Sequence, residues 1–266
     1  MKPRRARPTR SGRALAAPRR RQGARARREG PPATPFGQRT ARGPEQIERI
    51  LGRQPWSDLL APLERASADP PAALERMRQF ARMVIEWNSS ISNLIAENDQ
   101  ARIVSRHLLE SVAHAEWLKG SGRTRWIDLG SGAGFPAIPL VIAGVPGAWT
   151  LVESRRTKTL FLRKAIETLG LDQVRVELAR LEDIAGEHPR AFDGFTSRAT
   201  MRLGPTLDLA ARIVEPGGCA FLWKGSGRDD EIVAQGAWKE KWDLDTWRII
   251  GSGPVAIGRF VRREDS

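Results

Sequence analysis

The chain has 266 residues, of which 40% are hydrophobic, so it is long enough for one large domain and an accessory segment. Its single cysteine excludes an internal disulfide and a cysteine-built metal site, its three histidines are too scattered for a metal cluster, and no apolar run approaches the roughly 20 residues of a membrane span. The net charge of +13 comes from residues 1–42, which hold 14 of the 44 basic residues and one of the 31 acidic ones. The remaining 30 basic and 30 acidic residues cancel. The total charge is therefore no evidence that the rest of the chain binds nucleic acid.

Residues 1–43 form a basic tail of arginine, proline, alanine and glycine with almost no large apolar side chains. Such a segment cannot bury enough surface to offset the entropy of ordering it, so we expect it to be disordered. Three roles remain open: an arm that attracts RNA phosphates, an organellar transit peptide, or no essential role. We favour the last and then the arm, because the tail lacks the serine enrichment and apolar face of a transit peptide.

Residues 44–120 are predicted to form an N-terminal helical region. Between Pro71 and Trp87, apolar side chains recur at steps of three and four residues, which is typical of an amphipathic helix. After a polar break, Asp99 is placed to cap a second helix over residues 103–115. Some polar or half-polar residues at the helix edges could contact a substrate, although surface or capping roles are favoured for each alone: Trp87, Asn88, Asn93, Arg106 and His107.

Residues 125–142 follow the order strand, glycine loop, helix. An apolar run leads into Gly130, Gly132 and Gly134. Glycines at such a turn let the backbone pass close to a ligand, while the N–H groups of the following helix point into the site. The third glycine comes one residue too early for the dinucleotide fingerprint, and Phe135 stands in its place, which disfavours a nicotinamide dinucleotide.

Glu153 ends the next apolar run, about 20 residues after the glycine loop, where an acidic side chain can accept hydrogen bonds from ribose hydroxyls. A ligand that carries adenosine but needs no pyrophosphate site fits both the loop and this carboxylate. We therefore predict that the cofactor is S-adenosylmethionine.

From Arg125 onward, short apolar strands alternate with helices. Strands are predicted at residues 126–129, 149–153, 174–178, 192–197 and 219–223, and helices at about residue 137, at 157–169 and at 205–214. Two more strands, at 242–250 and 254–261, follow without a helix between them. The pattern predicts an α/β fold of the Rossmann-like methyltransferase type over residues 121–266, with a mostly parallel, doubly wound sheet and a terminal antiparallel strand.

Ligands of such sheets bind outside the carboxyl ends of the strands, so the residues that follow each strand are candidates for the site. Glu182 and Asp183 fit either a cofactor contact or a solvated helix start. Arg198 ends an apolar strand, where a guanidinium outside the core needs an anionic partner such as a cofactor carboxylate or an RNA phosphate. No catalytic residue is assigned, and Arg198 and Lys224 are the candidates.

The choice of acceptor atom follows from which groups are missing. Methylation of a pyrimidine carbon needs a nucleophile such as a cysteine, but Cys219 opens a predicted central strand, where a structural thiol is favoured. The loop after the fourth strand lacks the Asn/Asp-Pro-Pro-aromatic pattern of adenine amino methylation. Guanine N7 has an in-plane lone pair that needs no deprotonation, so its methylation depends mostly on alignment.

The chain resembles the RsmG (GidB) family, bacterial methyltransferases of guanine N7 in 16S ribosomal RNA, over about residues 70–225. The matching segments are WNSSISNL (87–94), RHLLES (106–111), IDLGSGAGFPAIPL (127–140), LVESRRTKTLFLRKAIETLGL (151–171), RLED (180–183), FDGFTSRA (192–199) and WKG (223–225). The resemblance implies a cofactor site that contains Gly130, Phe135, Leu181, Glu182 and Arg198, to which the loop and ribose arguments add Gly132 and Glu153. It also implies RNA contacts by Arg106, His107, Arg155, Arg156 and Lys224.

The resemblance implies methylation of guanine N7 in the decoding-centre loop of the small ribosomal subunit or its assembly intermediate. Two alternatives remain: a small-molecule methyltransferase on the same fold, and a non-catalytic ribosome-assembly protein that binds RNA. We expect a soluble, cytoplasmic, bacterial monomer without a metal or a membrane contact. Organellar targeting by the basic tail is the alternative location.

Overall fold

The structure is a computed structural model, which describes residues 42–198, 201–234 and 236–264. The predicted basic tail lies outside the described residues except for its last two positions, and so does the side chain of Leu181. None of the described helices combines the length and the apolar character that crossing a membrane requires.

A seven-stranded sheet forms the centre of the fold, in the order β3-β2-β1-β4-β5-β7-β6. The strands are β1 (Arg125–Leu129), β2 (Ala148–Glu153), β3 (Val174–Leu178), β4 (Phe192–Arg198), β5 (Val214–Lys224), β6 (Trp242–Ile249) and β7 (Ala256–Arg262). Strands β1 to β5 pair in parallel, whereas β7 is antiparallel to both β5 and β6. This arrangement confirms the predicted mostly parallel sheet with an antiparallel strand near its end.

The described residues contain twelve α-helices, six in the N-terminal region and six after the first strand of the sheet. Those before the sheet are α1 (Pro44–Gly52), α2 (Leu60–Ala66), α3 (Pro70–Ser90), α4 (Glu97–Gln100), α5 (Leu109–Val112) and α6 (Ala115–Lys119). Those that follow are α7 (Ala137–Ile142), α8 (Arg156–Leu169), α9 (Leu181–Glu187), α10 (Leu203–Ile213), α11 (Arg228–Val233) and α12 (Trp238–Lys241). A 3₁₀-helix (Trp56–Leu59) and a π-helix (Ile103–Leu108) complete the N-terminal region.

Local sequence signals account for the ends of the two longest helices. The side chain of Asp69 accepts a hydrogen bond from Ala72 N at the start of α3, and prolines occupy the first helical positions, where no N–H is needed. Gly170 ends α8 in the left-handed conformation, with a φ of 62°. The Gly170 stop was part of the prediction of α8, whereas α3 was predicted from its apolar periodicity alone.

The N-terminal helices and one face of the sheet share a hydrophobic core. The apolar stripe of α3 packs into it through Met77, Phe80 and Val84, which are fully buried. Phe80 contacts Phe161 of α8, with ring centroids 6.3 Å apart, and Phe135 of the glycine loop at 5.3 Å. The helical region is therefore packed directly against the segment that was predicted to bind the cofactor.

The segment after α4 differs from its prediction. We expected Asp99 to cap an α-helix, but Asp99 lies inside α4, and residues 103–108 form a π-helix without a side-chain cap. Asp99 instead bonds Arg102, with Oδ1 2.6 Å from the guanidinium. A π-helix widens the turn and is often found at functional sites, and this one carries Arg106 and His107.

The carboxyl ends of the parallel strands meet at one edge of the sheet. Leu129, the last residue of β1, is in register with Val152 of β2 and Ser197 of β4. Consequently the glycine loop, Glu153 and Arg198 follow three neighbouring strands and emerge at the same edge. This edge is where a doubly wound sheet binds its ligands.

Candidate functional site

A cavity of about 670 Å³ lies at this edge of the sheet. The sheet contributes the glycine loop and the residues after β2, β3 and β4, while the N-terminal region contributes the segment from Leu94 to His107. Its volume is typical of sites for small molecules and cofactors. The residues that line it are Leu94, Ile95, Asp99, Arg106, His107, Gly130, Ser131, Gly132, Ala133, Phe135, Val152, Glu153, Ser154, Arg155, Lys158, Ala179, Arg180, Glu182, Arg198 and Met201.

The glycine loop needs its glycines for two reasons. Gly130, Gly132 and Gly134 have φ values of 69°, 58° and 88°, a region that penalises side chains. In addition, a Cβ on Gly134 would lie 2.5 Å from Cδ1 of Ile138 in the following helix. The loop is held against β2, because the N–H groups of Gly130 and Ser131 both donate to the carbonyl of Val152 at 3.0 Å.

Glu153 is buried at the end of β2 and connects the two loops that border the cavity. Its Oε2 accepts from Gly132 N at 3.0 Å, and its Oε1 accepts from Arg155 N at 2.8 Å. A carboxylate oxygen has two acceptor positions, so each oxygen keeps one for a ligand. The carboxylate is thus held in place while it can still accept from a pair of hydroxyl groups.

Arg198 has an anionic partner within the chain. Its guanidinium lies 2.7 Å from Oε2 of Glu110 on α5 and donates to the carbonyl of Arg106 at 2.7 Å. Burial lowers the pKa of Arg198, and it raises the pKa of Glu110. Arg198 therefore joins the sheet to the helical region, which we did not predict when we placed it outside the core.

His107 stands beside this ion pair and stacks on Phe135, with ring centroids 4.9 Å apart and an interplanar angle of 29°. Burial, and then the charge of Arg198, lower its pKa to about 3. A guanidinium nitrogen of Arg198 is 3.5 Å from Nδ1, which places the acceptor of the neutral ring on that side and the N–H on Nε2. Nε2 is buried without a hydrogen-bond partner among the described residues.

The structure brings together most of the predicted site residues. Those that line the cavity are Gly130, Gly132, Phe135, Glu153, Glu182, Arg198, Arg106, His107 and Arg155. Arg156 begins α8 with an exposed side chain. Lys224 does not line the cavity formed by the described residues, since its Nζ bonds Glu231 at 2.9 Å and the carbonyl of Met201 at 2.8 Å.

Several lining residues were not predicted, among them Leu94, Ile95, Asp99, Lys158 and Arg180. Lys158 had a local signal, because it lies in the first turn of the helix that follows Glu153. The residues of the N-terminal region had none, since only the packing of that region against the sheet brings them to the cavity.

The pKa of His107 predicts how stability responds to acid. The unfolded chain binds a proton near pH 6.5, whereas the folded chain does so only near pH 3, so stability falls as the pH drops between these values. We expect His107 to lower the free energy of unfolding by about 2 kcal/mol between pH 7 and pH 5. Urea unfolding at pH 7 and pH 5 gives the decrease in the free energy of unfolding for the wild type and for His107→Gln. The contribution of His107 is the difference between the two decreases. An equal decrease in both would contradict the prediction.

Known proteins resemble this chain over most of its length. A family model described as GidB, rRNA small subunit methyltransferase G, matches residues 73–245. Ribosomal RNA small subunit methyltransferase G of Xanthomonas axonopodis pv. citri (strain 306) is 35% identical over 181 residues, which cover 66% of this chain and 82% of the relative. The protein of the same name from Azoarcus sp. (strain BH72) is 32% identical over 188 residues, which cover 71% of this chain and 82% of the relative. Among solved structures, precorrin-6y C5,15-methyltransferase from Geobacter metallireducens GS-15 aligns with a TM-score of 0.44 and 12% identity over 57% of this chain and 88% of its own.

Proposed function

Since this chain belongs to the GidB family, rRNA small subunit methyltransferase G, as its motifs predicted, we propose that it transfers a methyl group from S-adenosylmethionine to N7 of a guanine in 16S ribosomal RNA. The observation that carries the proposal is the cavity, in which the glycine loop and Glu153 meet residues of the N-terminal helical region. One part of the cavity suits a nucleoside cofactor, and the other leaves room for an acceptor base.

The residues present fit the cofactor. Glu153 would accept hydrogen bonds from the ribose hydroxyls through the acceptor positions that Gly132 N and Arg155 N leave open. The tight backbone at Gly130 and Gly132 would let the methionine portion lie close to the loop. Glu182, which lines the cavity after β3, would contact the adenosine portion. When bound, S-adenosylmethionine supplies an electrophilic methyl group on a positively charged sulfur.

The side chains near the cavity favour an acceptor that needs no deprotonation. His107, with a pKa of about 3, is a weak base at neutral pH. Asp128 is 1% exposed and its Oδ1 accepts from the Thr196 hydroxyl at 2.7 Å, so it belongs to the interior of the sheet. Guanine N7 attacks through a lone pair in the plane of the ring, and the protein then has to align this atom with the methyl group and exclude water.

Carbon methylation through a covalent thiol has little support. Cys219 is 4% exposed on β5, between Gly194 of β4 and Val261 of β7 in the sheet. Burial raises the pKa of its thiol, which disfavours the thiolate that such a nucleophile requires. The thiol is therefore a packing group within the sheet.

Exposed basic residues beside the cavity could position the RNA. Arg155 and Arg156 lie at the start of α8, next to Glu153, and Arg106 lies on the π-helix with about half of its side chain exposed. Phosphate contacts of this kind orient a nucleic acid without reading its sequence. Lys224 is internally paired with Glu231, so an RNA contact by Lys224 would require that pair to open.

Primer extension on 16S RNA tests the proposed reaction. RNA from cells that lack the gene and from complemented cells is treated with borohydride and aniline, which cleaves the chain at N7-methylguanine. We expect a stop that appears only on complementation with the wild type, and none with Glu153→Ala. If wild-type complementation produces no stop, guanine N7 of this RNA is not the acceptor, and a small molecule or another RNA atom takes its place.

A further inference from the structure

The N-terminal side of the cavity carries a carboxylate, Asp99, that takes no part in the proposed ribose contacts. Asp99 lines the cavity together with Leu94, Ile95 and His107, whereas the ribose-binding role falls to Glu153 on the sheet side. A carboxylate in a cavity is an acceptor-only group, so its natural ligand is a group with N–H or O–H donors. The position of Asp99 points to the acceptor base as the source of those donors.

The contacts of Asp99 hold it in place but leave one oxygen available. Oδ1 bonds Arg102 at 2.6 Å and lies 3.7 Å from Nε of Arg106. Oδ2 lies 3.7 Å from Nε2 of His107, which exceeds hydrogen-bond length, and it accepts no hydrogen bond from the residues that the structure describes. Asp99 thus presents an acceptor beside Nε2 of His107, a buried donor without a hydrogen-bond partner among the residues that the structure describes.

The Watson–Crick edge of guanine has the complementary pattern. It offers two donors, N1–H and the N2 amino group, beside the acceptor O6, whereas adenine offers an acceptor at N1 that a carboxylate would repel. Enzymes that modify a base often read it through this edge once it is out of the stack. O6 lies next to N7, whereas N1–H and the N2 amino group point away from N7. A base whose N7 faces the cofactor therefore directs these two donors away from the cofactor.

We propose that Asp99 selects guanine by accepting hydrogen bonds from N1–H and the N2 amino group of the target base. Beside it, Nε2–H of His107 donates to O6. For this the side chains of Asp99 and His107, now 3.7 Å apart, have to separate and admit the edge of the base. Arg102 and Arg106 hold the carboxylate, and Phe135 supports the His107 ring by stacking. The inference rests on the proposed function, because it assigns the acceptor-binding residue of the same site.

The test compares guanine with inosine, which lacks only the N2 amino group. An RNA fragment that carries the target position, with either base there, is methylated by the purified full-length protein, and kcat/KM is measured for each. We expect the wild type to prefer guanine by about tenfold or more, because inosine keeps N1–H but loses the second hydrogen bond to the charged carboxylate. In Asp99→Asn, where an amide donor faces the base, guanine methylation should fall by about 100-fold and the preference should shrink to within threefold.

Two controls separate recognition from folding. Arg102→Ala removes the principal partner of Asp99 but keeps its carboxylate, so it should retain the preference for guanine. Cofactor titration by calorimetry should give wild-type affinity in Asp99→Asn, which shows that the cofactor half of the site is intact.

The possible outcomes differ for the two proposals. Equal rates on guanine and inosine in the wild type, or a tenfold preference that persists in Asp99→Asn, would overturn the role of Asp99, whatever the stability of the variant. By contrast, a wild type that leaves the guanine fragment without any N7-methyl group, as read by aniline cleavage, would overturn the proposed function itself.

Discussion

Replacing Glu153 with alanine is expected to weaken binding of S-adenosylmethionine by at least about 100-fold. Two hydrogen bonds from ribose hydroxyls to a carboxylate contribute about 1.5–3 kcal/mol each, which together correspond to a factor of roughly 10² or more. The variant also leaves the N–H groups of Gly132 and Arg155 without their acceptor, so the glycine loop loses its connection to the turn after β2. Isothermal titration calorimetry with the cofactor measures the loss.

Two further variants show which part of this loss belongs to the carboxylate. Glu153→Gln keeps the size of the side chain but replaces one acceptor oxygen with an NH₂ donor. This donor would face a backbone N–H or a ribose hydroxyl that also donates. The affinity of this variant for the cofactor should therefore fall steeply as well. Glu167→Ala should bind the cofactor like the wild type, because Glu167 is exposed on α8 and its side chain pairs with Lys164 at 3.2 Å, away from the cavity-lining residues that the structure describes. Affinity near the wild-type value in Glu153→Ala would remove this residue from the cofactor site.

The sheet and the side of the cavity that it forms were predictable because their signals are local. Each strand is a short apolar run between turns, and the glycine loop and Glu153 follow two of these runs directly. The predicted strand bounds agree with the structure to within a few residues, apart from β5, which begins five residues earlier at Val214. Its added segment pairs with β4 through an irregular step between Phe192 and Gly194 that apolar periodicity does not reveal.

The N-terminal side of the cavity was predictable only in part. The family resemblance implied Arg106 and His107, whereas the contacts of Asp99 and Glu110 depend on how the helical region docks against the sheet. Glu110 and Arg198 are 88 positions apart, and their pairing has no counterpart in local sequence pattern. Asp99 had the sequence context of a helix cap, and only the π-helix after it turns Arg106 and His107 towards its carboxylate. Such contacts follow from tertiary packing, which overrides local propensity.

Replacing Arg198 with alanine is expected to destabilise the fold as well as to abolish methylation. The side chains of Arg198 and Glu110 are 12% and 13% exposed, so the variant leaves a largely buried carboxylate without its main partner. Breaking a buried pair in this way costs about 3–5 kcal/mol; we expect about 2–4 kcal/mol, because Arg106 remains 3.5 Å from the other oxygen of Glu110. Urea unfolding of the wild type and the variant at pH 7 measures the difference.

A double variant separates the structural role of Arg198 from a role in ligand binding. In Arg198→Ala/Glu110→Gln the buried charge is gone, so the free energy of unfolding should recover by at least half of the loss. If Arg198 only joins the sheet to the helical region, methylation should return with stability. We expect stability to recover while methylation stays at least 100-fold below the wild type, because Arg198 also lines the cavity and its charge would be missing there. Recovery of both properties would restrict Arg198 to its bond with Glu110 and the carbonyls of the π-helix.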